Sequence, residues 1–177
     1  MINHITPMLL FISIGFSQKE YDIKNLIKQE YLYIGNFNDN SLNGIVYKIL
    51  GDQKVILGKL KNGKKDGLWI EWYSDRRKLE ETYNEGLLDG FMSLFYNNGQ
   101  KEWRHTYNNG MLEGLWTYWY KNGQKSKEGN FEGGDSTGIW IWWDKNGQIK
   151  KEKKFKNINQ LKKQINLDLK IVKNKLN

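Results

Sequence analysis

Hydrophobic and polar positions recur in blocks along this chain. Four six-residue stretches are almost wholly aromatic or aliphatic: Leu-Trp-Ile-Glu-Trp-Tyr at 68–73, Phe-Met-Ser-Leu-Phe-Tyr at 91–96, Leu-Trp-Thr-Tyr-Trp-Tyr at 115–120 and Ile-Trp-Ile-Trp-Trp-Asp at 139–144. More polar stretches lie between them, from Lys78 to Thr82, Lys101 to Thr106 and Lys125 to Asn130. Runs of this length, rich in aromatic and β-branched residues and bounded by Asn and Gly, read as strands. By parity, one face of the apolar strands carries Leu68, Ile70, Trp72, Phe91, Ser93, Phe95, Leu115, Thr117, Trp119, Ile139, Ile141 and Trp143. The other carries Trp69, Glu71, Tyr73, Met92, Leu94, Tyr96, Trp116, Tyr118, Tyr120, Trp140, Trp142 and Asp144. Both faces are largely apolar, so neither reads as built for bare solvent.

A glycine precedes every block and forms a ladder, Gly44, Gly67, Gly90, Gly114 and Gly138, of nearly constant step. A fixed period of roughly two dozen residues marks a row of similar units. Seven residues before each ladder glycine stands a large apolar residue, Phe37, Leu60, Tyr83, Tyr107 or Phe131; four before stands Asn40, Gly63, Gly86, Gly110 or Gly134. Asn-Gly pairs at 43–44, 62–63, 98–99, 109–110, 122–123 and 146–147, with the variant Asn84-Glu85-Gly86, predict tight hairpin turns of type I′. Gly63, Gly67, Gly86, Gly90, Gly99, Gly110, Gly114, Gly123, Gly138 and Gly147 are accordingly read as structural turn glycines. The fold class expected is mainly β: an elongated open antiparallel sheet of repeated hairpins with short capping segments at both ends. Two strands per unit advance the sheet roughly 10 Å, so five units make it on the order of 50 Å long.

The ends differ from the body. Residues 20–31 place Ile23, Leu26, Ile27 and Tyr31 at helical spacing, and 158–176 place Ile158, Leu161, Ile165, Val172 and Leu176 on one helical stripe. Within the second segment Ile165, Leu167, Leu169 and Ile171 also alternate like a strand; helix is the preferred reading. Residues 1–17 read as an export signal, with an apolar run from Pro7 to Phe16 too short to span a bilayer and small residues at Gly15 and Ser17. A buried N-terminal strand is the alternative, and Gln18 as the first residue of an exported form is the observation that separates them. The boundaries are thus 1–17 signal peptide, 18–43 N-terminal cap and first strand, repeats 44–66, 67–89, 90–113, 114–137 and 138–157, and 158–177 a basic amphipathic segment.

The formal charge of +8 is local. Residues 1–147 hold 18 Lys/Arg against 18 Asp/Glu, and residues 148–177 hold 10 lysines against Glu152 and Asp168. A neutral sheet lacks the basic stripe of a nucleic-acid reader, so nucleic acid is not an expected partner. The chain contains no cysteine, which excludes disulfides and thiolate chemistry.

The recurring Gly-x-Trp-x-x-Trp/Tyr-Tyr-x-x-Asn-Gly followed by Tyr-x-x-Gly resembles the MORN-repeat-variant proteins of bacteria, over residues 44–157. The resemblance implies hairpins laid side by side in an open sheet, with no catalytic residues in the repeat. Members are often labelled antitoxin-like, which implies neutralisation of a toxin by direct binding, and some MORN proteins contact membranes or scaffold other proteins. Two places depart from the pattern. Unit 44–66 has Gly51-Asp52-Gln53 at its internal turn and no Trp, and Ser74-Asp75-Arg76-Arg77 replaces the next Asn-Gly turn, so irregular edges are expected there.

Catalytic chemistry is not expected. His105, the histidine beyond the signal segment, sits in a predicted strand and reads as a packing residue. No phosphate loop, nucleophile elbow or zinc motif occurs, so no cofactor or metal is expected and the protein reads as non-enzymatic. Two features are candidates for binding. The aromatic stripe, Trp69, Tyr73, Tyr96, Trp116, Tyr120 and Trp140, brings large area at low entropic cost and suits a protein partner of the cell envelope, the alternative being cross-strand packing. The lysine-rich tail, Lys150, Lys151, Lys153, Lys154, Lys162 and Lys163, suits an anionic lipid surface or a polyanion, the alternative being a solvated cap that guards the sheet edge. The pattern carries no reading of oligomeric state.

Overall fold

The computed structural model describes residues 18–30, 32–35 and 42–176. The export segment 1–17 and the positions Tyr31, Phe37 and Asn40 lie outside them. The first described segment forms strand β1 (Glu20–Asp22), a 3₁₀ turn (Ile23–Asn25) and strands β2 (Ile27–Gln29) and β3 (Leu32–Ile34). The helix expected over 20–31 is therefore not formed. A helix that short is marginal on its own, whereas here the backbone finds partners on the sheet: β1 pairs in parallel with Ile45–Tyr47, and Ile45 N–H donates to the Lys19 carbonyl at 2.9 Å. Ile23 and Leu26, freed from helical spacing, pack against the buried cluster of Tyr33, Leu42, Val46, Leu57, Leu60 and Trp69.

The body is an antiparallel meander of β4 (Gly44–Leu50), β5 (Gln53–Lys61), β6 (Lys64–Trp72), β7 (Lys78–Asn84), β8 (Leu87–Phe95), β9 (Lys101–Asn108), the short β10 (Met111–Leu112), β11 (Gly114–Trp119), β12 (Lys125–Glu132), β13 (Asp135–Trp143) and β14 (Ile149–Phe155). Spatial order follows chain order, with β1 beside β4, β10 on β9 and the β2–β3 hairpin on β6. Helix α1 (Ile158–Leu176) follows β14, in agreement with the helical reading of the tail.

The two edges of the sheet are turned by different chemistry. On one edge Asn62-Gly63, Glu85-Gly86, Asn109-Gly110 and Gly133-Gly134 have positive φ at both residues, as a type I′ turn requires. On the other, Gly51-Asp52 is a two-residue reversal with Gly51 alone left-handed, and the loops after β6, β8, β11 and β13 are one residue longer. Gly99 and Gly123 N–H donate to the carbonyls of Tyr96 and Tyr120, while Tyr96 and Tyr120 N–H donate to Gln100 and Gln124, and only the glycine is left-handed. The type I′ expectation for 98–99, 122–123 and 146–147 is thus corrected to a turn closed by one left-handed glycine, and at 43–44 no hairpin turn forms, because Gly44 opens β4 opposite Leu60 in extended conformation. The loop 73–77 has the same hydrogen bonds with Arg76 at φ 65°, so the departure at Ser74-Asp75-Arg76-Arg77 leaves the geometry regular.

The ladder glycines are not turn residues. Gly67, Gly90 and Gly138 lie inside β6, β8 and β13, and Gly114 opens β11, all with positive φ. In β6 the reason is visible: residues 64–66 pair with β5 and 67–72 with β7, and Gly67 is the bend between the two. The period of the sequence is therefore a period of bends in the sheet.

Candidate functional site

Cross-strand register places the two parities on opposite faces of a single layer. One face is aromatic. Its middle row runs through Val46↔Gly58, Trp69↔Glu81↔Met92↔His105, Trp116↔Gly129 and Trp140↔Lys153. In the last repeats the rings form a continuous layer. His105 lies between Trp103 and Trp116 with centroids at 4.2 and 3.6 Å; Trp116 meets Phe131 at 4.5 Å; and Phe131, Trp142 and Phe155 surround Trp140 at 5.3, 6.2 and 5.7 Å. Tyr118 tilts against His105 at 5.3 Å.

The aromatic candidates do not share one surface. Trp69 is 4% exposed and Trp140 3%, because each indole lies flat on a glycine of the preceding strand, Gly58 or Gly129, where a Cβ would overlap the ring. These two tryptophans are core, which corrects their reading as contact residues. Tyr96 and Tyr120 are half-buried and fasten one repeat to the next: their hydroxyls donate to the Trp119 and Trp143 carbonyls at 2.9 and 2.8 Å. Asn98 and Asn122 side-chain amides donate similarly to the Lys121 and Lys145 carbonyls, both at 3.1 Å. Tyr73 is exposed, with the Arg77 guanidinium over its ring at 5.6 Å. Only Trp116, half-buried in the ring layer, remains on an open aromatic surface, joined there by Trp103, Tyr118, Phe131, Trp142 and Phe155. Tyr118 and Trp142 share its parity; Trp103, Phe131 and Phe155 needed the register of the intervening strands.

Charge around this layer is positive. Lys127 Nζ stands 4.6 Å from the Trp140 centroid and 5.5 Å from that of Trp142, Lys151 stands 5.1 Å over Trp142, and Lys153 stands 4.4 Å over Phe155. Burial holds the Lys127 ammonium below its ordinary pKa. His105 is held at a pKa of about 4, first by burial and then by Lys127, so it is neutral at physiological pH. Its Nε2 and the indole N–H groups of Trp116 and Trp140 are buried without partners, whereas the Trp69 indole donates to the Lys59 carbonyl at 3.0 Å.

The same face is treated differently at its two ends. Over the first repeats the N-terminal segment covers it, with Tyr33 stacked on Trp69 at 5.8 Å and a cleft of about 350 Å³ lined by Lys28, Leu57, Lys65, Glu71 and Glu81 left beside the pair. Glu81 is neutralised there by Lys65 at 3.3 Å. Over β9 to β14, no element among the described residues lies on it. His105 touches rings and no carboxylate, and among the described residues no three His, Cys, Asp or Glu gather as a metal set.

The lysine tail is divided by the fold. Lys151 and Lys153 pair with Trp142 and Trp140 on the aromatic face, Lys154 pairs with Ile139 on the opposite face, and Lys150 is the extra residue of the bulge between Ile149 and Lys151. All four lie on the edge strand β14, where charge discourages pairing with another sheet. Lys162 and Lys163 belong to α1, which meets the sheet only at its start, around a cleft of about 590 Å³ lined by Thr137, Gly138, Phe155 and Leu161. From Leu161 to Asn174 every helix residue is exposed, so α1 does not cap the sheet. No helix among the described residues is long and apolar enough to cross a membrane.

Residues 112–132 and 136–157 match the family model described as the MORN repeat variant. No curated protein matches the chain. The two matched stretches each contain a ladder glycine, and in the turn between them Gly134 N–H donates to the Leu112 carbonyl at 3.0 Å. Gly110 to Leu88, Gly86 to Lys65 and Gly63 to Leu42 repeat that bond at 2.7, 2.9 and 2.9 Å, which carries the same architecture back to β4.

Proposed function

We propose that this row of MORN repeats is a non-enzymatic binding module that holds a protein partner against the open aromatic half of its sheet. One observation carries the reading: the face covered by the molecule's own Tyr33 at one end has, among the described residues, no element over its interlocked ring layer at the other. The covered end shows what suits such a face. An extended segment lays an aromatic side chain on an indole and leaves lysines at the rim. A partner segment presenting an aromatic or aliphatic side chain between acidic groups meets the open end in the same way, its carboxylates facing Lys127, Lys151 and Lys153. The envelope setting rests on the export reading of residues 1–17.

Photo-crosslinking amino acids at Tyr118 and Trp142, and at Leu68 on the opposite face, test this in the cells that make the protein. The expected result is one common crosslinked protein from Tyr118 and Trp142, lost with Lys127→Glu, and absent from Leu68. Capture of a different protein from Leu68 alone, a second copy of this chain aside, or crosslinks that ignore Lys127→Glu, overturns the assignment to this face.

A further inference from the structure

Two surfaces of this chain stand open and match each other. Opposite the aromatic layer, Leu68, Phe91, Leu115 and Ile139 are each about half exposed. Each follows a ladder glycine, and register sets Thr82, Thr106, Asn130 and Lys154 beside them on alternate strands. The four apolar side chains therefore form a ridge running across the strands. From Leu68 on β6 to Ile139 on β13 the ridge steps over β7, β8, β9, β11 and β12. At the usual strand spacing that is a length of roughly 29 Å. Acidic residues border it on the side of the type I′ turns: Asp66, Asp89 and Glu113, each just before a ladder glycine, then Glu132 and Asp135 around the last turn.

Helix α1 comprises 19 residues. At the α-helical rise this makes it roughly 28 Å long. Leu161, Ile165, Leu169 and Val172 fall on one stripe at spacings of three and four, and all four are about half exposed. Lys162 and Lys173 stand to one side of that stripe, and Lys163 and Lys170 on the far face of the helix. Length, apolarity and charge of the helix thus complement the ridge and its acidic margin.

We propose that α1 of one copy lies along the ridge of a second copy, its stripe on Leu68, Phe91, Leu115 and Ile139 and Lys162 and Lys173 over the acidic margin, in a reciprocal two-fold pair. The helix is tied to its own sheet by Lys156 and Asn157 alone. Asn157 is hydrogen-bonded to Glu132, and Leu161 N–H donates to the Asn157 carbonyl at 3.1 Å; held this way, the helix stands off its own ridge, with every residue from Leu161 to Asn174 exposed. Pairing α1 with α1 sets lysine against lysine, which the acidic margin avoids. A contact roughly 28 Å by about 10 Å covers roughly 280 Å² on each surface, so two reciprocal contacts bury on the order of 1,100 Å² in all, near the lower limit for a specific interface. A single contact falls well short, which is why the pair is reciprocal.

Sedimentation velocity of the full chain at micromolar concentrations reads this directly. A dimer is expected, and the pair Ile165→Asp/Leu169→Asp and the pair Phe91→Asp/Leu115→Asp each give a monomer with unchanged circular dichroism, since all four side chains are half in solvent. Asp89→Lys/Glu113→Lys weakens the dimer at least about tenfold, and adding Lys162→Glu/Lys173→Glu restores it. A monomeric wild type, or a dimer indifferent to either apolar pair, overturns the proposal. So does a monomer that instead sediments with phosphatidylserine vesicles, which assigns α1 to a bilayer. None of these readouts involves the aromatic face, so this proposal and the partner reading fail separately.

Discussion

Between the indoles of Trp103 and Trp116 the imidazole of His105 has lost water on both sides and sits near the ammonium of Lys127, and both effects oppose its protonation. Its folded pKa of about 4 lies below the ordinary 6.5, so the neutral form is the one the fold favours. The stability this contributes is fully present above about pH 6.5 and is lost as pH falls toward 4, amounting to no more than about 3 kcal/mol. Urea unfolding of the wild type and of His105→Phe, which keeps a ring in the stack, should therefore diverge across that interval, the variant losing less stability on acidification. Parallel pH profiles would place the titration elsewhere. The sequence put His105 in a strand, but nothing in it announced a ring on either side; that needed the pairing of Met92 with His105 and the stacking across β9 and β11. Gly58 and Gly129 were equally silent, standing nine residues before a ladder glycine where other repeats carry Glu81 and His105, because their role is to make room for an indole on the next strand rather than to turn the chain.

At the level of turns and strands, the chain's punctuation was legible and its meaning only partly so. Asn-Gly marks both edges, but whether it makes a shorter or a longer reversal depends on the bonds of its neighbours. At 62–63 and 109–110 both residues are left-handed; at 98–99 and 122–123 the Asn side chain is instead spent on the next repeat. The hydroxyls of Tyr96 and Tyr120 follow the same logic, turning contact candidates into fasteners. Tyr120→Phe removes the bond to the Trp143 carbonyl and leaves that acceptor half-buried, at a cost of about 1 kcal/mol, while keeping the ring. A lowered urea midpoint with unchanged slope is the expected reading, and no shift would show that the last repeats are joined without it.

Over the whole molecule, stability is passed from neighbour to neighbour. Each unit bonds the next through turn glycine and ladder position, the N-terminal segment closes one end with a buried cluster, and β14 closes the other with lysines. Helix α1 stands outside this scheme. Deleting residues 158–177 should leave the melting temperature unchanged at dilute concentrations, where copies are separate, by differential scanning fluorimetry. A fall of several degrees would mean that the helix supports the sheet.

Period, strand content, parity of the faces and the helical tail were determined by the sequence itself, because bends, turns and alternation are local and every repeat restates them. The N-terminal segment, the split of the lysines and the burial of Trp69 and Trp140 were decided only in three dimensions. Ile23 and Leu26 suit a helix or a cluster equally well until a cavity beside Tyr33 exists to receive them. Likewise, whether a tryptophan is core or contact depends on the residue across from it on the next strand, and a glycine at 58 or 129 draws the ring down where a larger side chain would have kept it in solvent.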